Sequence, residues 1–170
     1  MPSEIDTICP VQFIEGRNKF AEPAQASDVS PSAYIEYVPR VSYSIARIDI
    51  FIDWTAEVTE SQNNRFVIYA DYLDHPSDII FTEGNMRIEV GDYLTHRNWR
   101  TVDITKPVVF IAHKKYWLQF CDCETKFAFY AGSKGDQIVT KSKVDGEWVT
   151  ESDILMLRFY GRVLPLAFVH

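Results

Sequence analysis

The stretch Ile48-Asp49-Ile50-Phe51-Ile52-Asp53-Trp54 decides the fold. Isoleucine and tryptophan recur at every second position, the period of a strand whose side chains point alternately to two faces. Upstream, Val41, Tyr43 and Ile45 hold the opposite phase, so Ala46-Arg47 is predicted to carry a β-bulge, an extra residue that switches the faces. Short segments of the same kind follow at 66–70, 86–90, 101–104, 108–111, 116–120, 127–131, 148–149 and 154–160, the last closing on Arg158-Phe159-Tyr160-Gly161. Turn-forming residues separate them: Gln62-Asn63-Asn64, Asp74-His75-Pro76-Ser77, Glu83-Gly84-Asn85, the run 132–136 and Asp145-Gly146. Many short strands at this spacing predict an all-β chain, an antiparallel β-sandwich of jelly-roll-like design.

The first 40 residues read differently. Five of the eight prolines (Pro2, Pro10, Pro23, Pro31 and Pro39) fall there, and proline blocks helix interiors and central strands. The expectation is an extended N-terminal arm over 1–40 with one short strand at 11–14, then a sandwich over 41–162. An apolar tail, 163–170, ends the chain with Leu164-Pro165-Leu166-Ala167-Phe168-Val169. Ordering 40 backbones costs on the order of 40–80 kcal/mol, so such an arm needs burial against the sandwich or a neighbouring subunit. Its reach of roughly 130 Å favours the neighbour.

Composition bounds the function. At 170 residues the chain can bury one sizeable core, and 14% aromatic content suits flat sheet faces. A formal charge of −7 argues against nucleic acid and against an anionic membrane surface, which both need clustered Lys and Arg. No apolar run is long enough to span a bilayer as a helix. The opening Met1-Pro2-Ser3-Glu4-Ile5-Asp6 lacks the basic and apolar regions of a signal peptide, so the expectation is synthesis in the cytoplasm. The final location expected is a virion or another extracellular assembly.

Several segments together resemble β-sandwich modules of secreted and surface bacterial proteins, the choice-of-anchor and carbohydrate-binding-like jelly rolls. They are Phe66-Val67-Ile68-Tyr69-Ala70-Asp71, Lys106-Pro107-Val108-Val109-Phe110, Tyr116-Trp117-Leu118, Gly146-Glu147-Trp148-Val149 and Leu157-Arg158-Phe159-Tyr160-Gly161. The resemblance spans 41–162 and implies the sandwich fold, with adhesion, sugar binding and assembly all open. Asp74-His75-Pro76-Ser77 stands where those modules have a Gly-x-Pro-Gly turn, and Ala112-His113-Lys114-Lys115 stands where they favour Ala-Gly.

Catalytic chemistry finds little footing. His75, His96, His113 and His170 are scattered, and neither Gly-x-Ser-x-Gly nor His-Glu-x-x-His occurs. Cys9, Cys121 and Cys123 are too few for a disulfide framework, and Cys121-Asp122-Cys123 lacks a second ligand pair for zinc, so reduced structural thiols are expected. Asp71, Asp74 and Asp78 crowd one turn and are the candidates for a structural calcium ion; no other cofactor is expected.

The aromatic residues carry the binding reading. Trp54, Tyr69, Trp99, Trp117, Tyr130 and Trp148 lie on or beside strands, and Tyr69 and Trp117 are out of phase with Ile68 and Leu118. Tyr69, Trp117 and Tyr130 are therefore the candidate platform on which sugar rings would stack. The leading expectation is a non-catalytic structural protein, a virion or phage-type decoration, head or tail component. It would join protein partners, as a homo-oligomer or larger assembly, through its arm and tail. The alternative is a carbohydrate-binding or adhesion module.

Overall fold

The computed structural model describes residues 10–16, 25–28, 33–54, 57–94, 98–125, 127–132, 138–144, 147–150, 154–155 and 157–164. Among them the protein is all-β and antiparallel, curled like half a barrel, with no α-helix and one short 3-10 turn at Val90–Leu94. The strands are β1 (Gln12–Gly16), β2 (Gln25–Asp28), β3 (Ala33–Tyr37), β4 (Tyr43–Trp54), β5 (Gln62–Tyr72), β6 (His75–Ile88) and β7 (Asn98–Ile104). They continue with β8 (Val109–Phe110), β9 (Tyr116–Cys123), β10 (Phe127–Gly132), β11 (Ile138–Val144), β12 (Glu147–Thr150), β13 (Ile154–Leu155) and β14 (Leu157–Val163). The main order across the sheet is β1-β14-β4-β7-β6-β5-β9-β3-β11-β12. β10 joins β4, β2 and β13, and β8 pairs with the start of β4.

β4 is the spine, as its alternation predicts. Ile48, Ile50 and Ile52 point into the core, while Arg47, Asp49 and Phe51 point away. Gly161 of β14 faces Ile45 and Tyr160 faces Arg47, which leaves Ala46 opposite neither, so the bulge falls where the phase change places it. Without that extra residue, Tyr43 and Ile45 would turn outward instead of joining the same core as Ile48. Phe66 and Ile68 of β5, Leu118 and Phe120 of β9, and Leu157 and Phe159 of β14 complete it.

Two expected turns are strand. Gln62-Asn63-Asn64 opens β5, pairing with β6, and Glu83-Gly84-Asn85 lies inside β6, pairing with β5 and, at Gly84 and Asn85, with β7. Its glycine serves close approach, since a Cβ at Gly84 would sit 2.6 Å from the Asp103 carbonyl oxygen. The reversal falls at Leu73-Asp74, the near end of the expected Asp74–Ser77 turn whose other residues already belong to β6; φ there is +49° and +68° and the closing pair is Tyr72 with His75. Both signs are those of a type I′ hairpin.

Three stretches of the N-terminal 40 residues are strands of this sheet, with β2 paired to β10. β1 adds to the edge of β14, and β3 sits between β9 and β11 with Ile35 and Tyr37 buried in the core. Tyr37 stacks on Phe159 at 4.0 Å between centroids. Its hydroxyl donates to Glu15 Oε1 at 2.5 Å and lies 2.7 Å from the Tyr43 hydroxyl, so a β1 carboxylate closes over two buried phenols. Residues 1–9, 17–24, 29–32 and 165–170 of the expected arm and tail lie outside the described residues.

Burial pushes the phenols of Tyr37 and Tyr43 well above their ordinary range and raises that of Tyr116; at Tyr37 the neighbouring Tyr43 and Glu15 add to it. The unfolded chain ionises these groups near pH 10 and the folded chain does so later. Stability is therefore full below that pH and falls as pH rises above it, by up to about 1.4 kcal/mol per pH unit for each phenol. Thermal melts from about pH 8 to 12 should decline steeply at the alkaline end, and Tyr116→Phe should make the decline shallower. Tyrosinate absorbance from all three groups near pH 10, with the fold intact, would refute this.

Candidate functional site

Three places on the face opposite the core hold the candidate side chains. The first is where β3, β9 and β5 lie side by side. Tyr69 faces Trp117 across β5–β9, and Glu36 faces Trp117 across β3–β9, so the structure brings two of the three predicted platform residues together. The expected exposure is not found at Trp117, which is 0% exposed. Its indole Nε1 donates to Asp71 Oδ1 at 2.7 Å, and the Lys115 ammonium lies 5.9 Å from its ring centroid. Val67, on the same face, is fully buried too, so this part of the sheet is covered on both sides. Tyr69 is half-buried; its hydroxyl donates to Gln119 Oε1 at 3.2 Å and its ring meets Tyr34 edge to face at 6.1 Å. Tyr130 lies on β10, which pairs with β2, β4 and β13 rather than with β5 or β9. Its side chain is outside the described residues.

The second place is the tip of the β5–β6 hairpin. Tyr72, Leu73, Ile79 and Ile80 are all exposed, Leu73 by 76%. Leucine in the left-handed region costs about 1–2 kcal/mol, where Asn or Gly would adopt it freely, so this apolar side chain is displayed against local preference. Behind the tip, Ser77, Asp78 and Ile79 bulge out between the pairs Tyr69–Ile80 and Asp71–Pro76, and Ser77 Oγ accepts the Ile79 amide at 3.1 Å. Pro76 and that bulge blunt the edge for addition of another strand, leaving side chains to make any contact. Lys115 holds the tip in place by hydrogen bonds to Asp74 and, at 3.1 Å, to Glu36. Burial works against its charge, but those two carboxylates outweigh it and keep the ammonium above its ordinary range.

The calcium candidates do not converge here. Asp71 accepts from Trp117, Asp74 pairs with Lys115 and Asp78 is exposed on the bulge. Among the described residues no group of three or more His, Cys, Asp or Glu could hold a metal ion.

The third place is the outward side of β1, β14 and β4. Phe13 meets Tyr160 edge to face at 5.8 Å, and the Arg47 guanidinium lies 4.2 Å above the same ring. Arg158 lies 3.8 Å over Trp99. Beneath them Asp49, 5% exposed, accepts from Thr101 Oγ1 at 2.9 Å and Arg158 Nη2 at 3.3 Å, with Arg47 Nε 3.6 Å away. A buried carboxylate thus holds two arginines flat against aromatic rings.

A groove of 520 Å³ at the far end of β5 and β9 is lined by Asn63, Arg65, Asn85, Cys121, Asp122, Cys123 and Glu124. Arg65 there bridges Glu83 at 2.8 Å and Asp122 at 3.4 Å, and one of its N–H groups lies 3.7 Å from Cys121 Sγ. Burial pushes the Cys121 thiol up against the opposing pull of Arg65. The sulfur of Cys123, on a residue otherwise exposed, is pushed up to about 12 by burial, with Cys121 and Asp122 adding to it. Both sulfurs are thus held as thiols, a poor state for a nucleophile. His75 and His113 sit apart, one in the hairpin and one in a turn with φ +66°. No helix among the described residues is long and apolar enough to cross a membrane. No family model matches this chain, and no curated protein matches it.

Proposed function

We propose that this protein is a non-catalytic building block that joins a larger assembly, with a jelly-roll-like sandwich as its body. The observation that carries the reading is the β5–β6 tip, a rigidly braced hairpin displaying four large apolar side chains on a strained turn. An exposed apolar cluster held in place at local cost is expected of a contact surface. The buried Val67 and Trp117 on the reverse of the core favour a second covering layer, as in a sandwich. The resemblance to choice-of-anchor modules agrees with such a body. Within this reading the protein is a virion or phage-type decoration, head or tail component, made in the cytoplasm and carried on the finished particle.

Among the described side chains the glycan-binding reading rests on the half-buried Tyr34 and Tyr69 rings, because Trp117 is closed to solvent. An array of immobilised glycans that retains the protein, and loses it on Tyr69→Ala, would favour that reading instead.

Native mass over a concentration series tests the assembly reading. A chain cut at residue 40 is the wrong comparison, since the cut removes Ile35 and Tyr37 from the core. The full chain should form discrete species larger than one copy as concentration rises from micromolar toward millimolar. A monomer throughout that range would refute it as a self-assembling unit.

A further inference from the structure

We propose that the β5–β6 tip of one copy docks onto the arginine–aromatic patch of β1, β14 and β4 on a second copy. This names the partner within the assembly reading above and rests on it. The tip is apolar and acidic: between Asp71 and Ile80 the chain carries Asp71, Asp74 and Asp78 and no Lys or Arg. Lys115 is the cation beside it, and it is shared with Glu36. The patch is apolar and basic, with Phe13 exposed on β1 beside Tyr160 and Val11 exposed just before the strand. Arg47, Arg158 and Arg162 project from the same side, against Asp49 and, across from Arg47, Asp103. In a chain of net charge −7, three guanidiniums here face two carboxylates.

Apolar exposure and charge agree on the pairing. Leu73 and Ile79 are exposed on the tip, and Phe13 and Tyr160, set edge to face, are the apolar part of the patch. Arg47, 45% exposed, lies over the Tyr160 ring, where Asp78 would arrive. Tip against tip would oppose aspartates, which argues against a symmetric contact through the hairpins. β4 and β7 separate β14 from β6 in the sheet, so tip and patch are distinct surfaces. A contact between two distinct surfaces is heterologous: each copy offers one tip and one patch, and the chain of contacts closes as a ring or continues as a filament.

Sedimentation velocity on full-length protein tests this with two half-blocked variants. The tip variant carries Leu73→Asn and Ile79→Asp; asparagine suits the left-handed turn, so the hairpin keeps its form. The patch variant carries Phe13→Asp on the exposed edge strand, with Arg47→Ala as a second, milder version. Thermal melts establish that each variant is folded. Wild type should associate, and raising salt from about 0.05 to about 0.5 M should weaken the association. Each variant alone should stay monomeric, about tenfold or more weaker in association, and an equimolar mixture should give a heterodimer and nothing larger. Variants that associate like wild type, or a mixture that stays monomeric while wild type does not, would overturn the docking and leave the assembly reading standing. A wild type that stays monomeric overturns both. Retention by neutral phosphatidylcholine vesicles that the tip variant loses would overturn the docking alone, because another occupant then takes the tip.

Discussion

Trp117→Ala is expected to destabilise the protein by about 3–5 kcal/mol, the usual cost of emptying a buried tryptophan site. The indole is fully buried between Tyr69 and Glu36 on its neighbouring strands, so its removal leaves a cavity. It also takes away the N–H that satisfies Asp71. Set against a total stability of about 5–15 kcal/mol, that loss should appear in urea unfolding as a large fall in midpoint with little change in slope. Trp117→Phe should cost less, roughly 1–3 kcal/mol, most of it from the orphaned carboxylate. A stacking residue on an open platform behaves in the opposite way: binding is lost while the melting curve stays put. Unchanged stability in Trp117→Ala would therefore return this residue to the glycan-binding reading.

Gly161→Ala is expected to be comparably severe, at about 4 kcal/mol or more. A Cβ there would lie 2.2 Å from the Ser44 carbonyl oxygen and 2.6 Å from a ring carbon of Tyr43. Backbone cannot rotate aside, so β14 would have to part from β4 beside the bulge at Ala46. That shift unseats Phe159 from Tyr37 and opens the slot that Glu15 closes. Gly91→Ala is the control, because nothing lies within 4 Å of a Cβ at that position. Equal melting temperatures for the two variants would show that the close approach at Gly161 is dispensable.

The parts of the fold legible in the chain are those written in local period. The run from Ile48 to Trp54 declares a two-faced strand, and its change of phase at Ala46 declares a bulge. β3 was readable in principle, since Tyr34-Ile35-Glu36-Tyr37 alternates, but Pro31 and Pro39 on either side suggest an arm. Pro39 follows the strand without preventing it. Glu83-Gly84-Asn85 looks like a turn because glycine and asparagine favour turns, yet Gly84 is there to let β7 come close. The true turn uses Leu73-Asp74, one residue upstream of the expected Asp74–Ser77 turn; Asp74 carries the turn signal and Leu73 does not.

The candidate site was less legible. The phase of Tyr69 and Trp117 places both opposite the core, and the pairing of β5 with β9 makes them neighbours. Whether they are covered depends on the side chains around them, which no local pattern encodes. The exposed tip gave little sign of itself, because Leu73 and Ile79 read as ordinary strand residues until the hairpin is seen to project them.

Sequence alone determined that this chain is all-β and that β4 is two-faced and bulged. These follow from residue period and composition, which need no partner in space. Only the tertiary structure decided that β1 and β3 belong to the sheet, that Trp117 is buried and Leu73 is not, and that Arg47, Tyr160 and Phe13 share one patch. Those depend on which distant strands lie side by side, and strand pairing is set by the burial of the whole chain at once rather than by any segment of it.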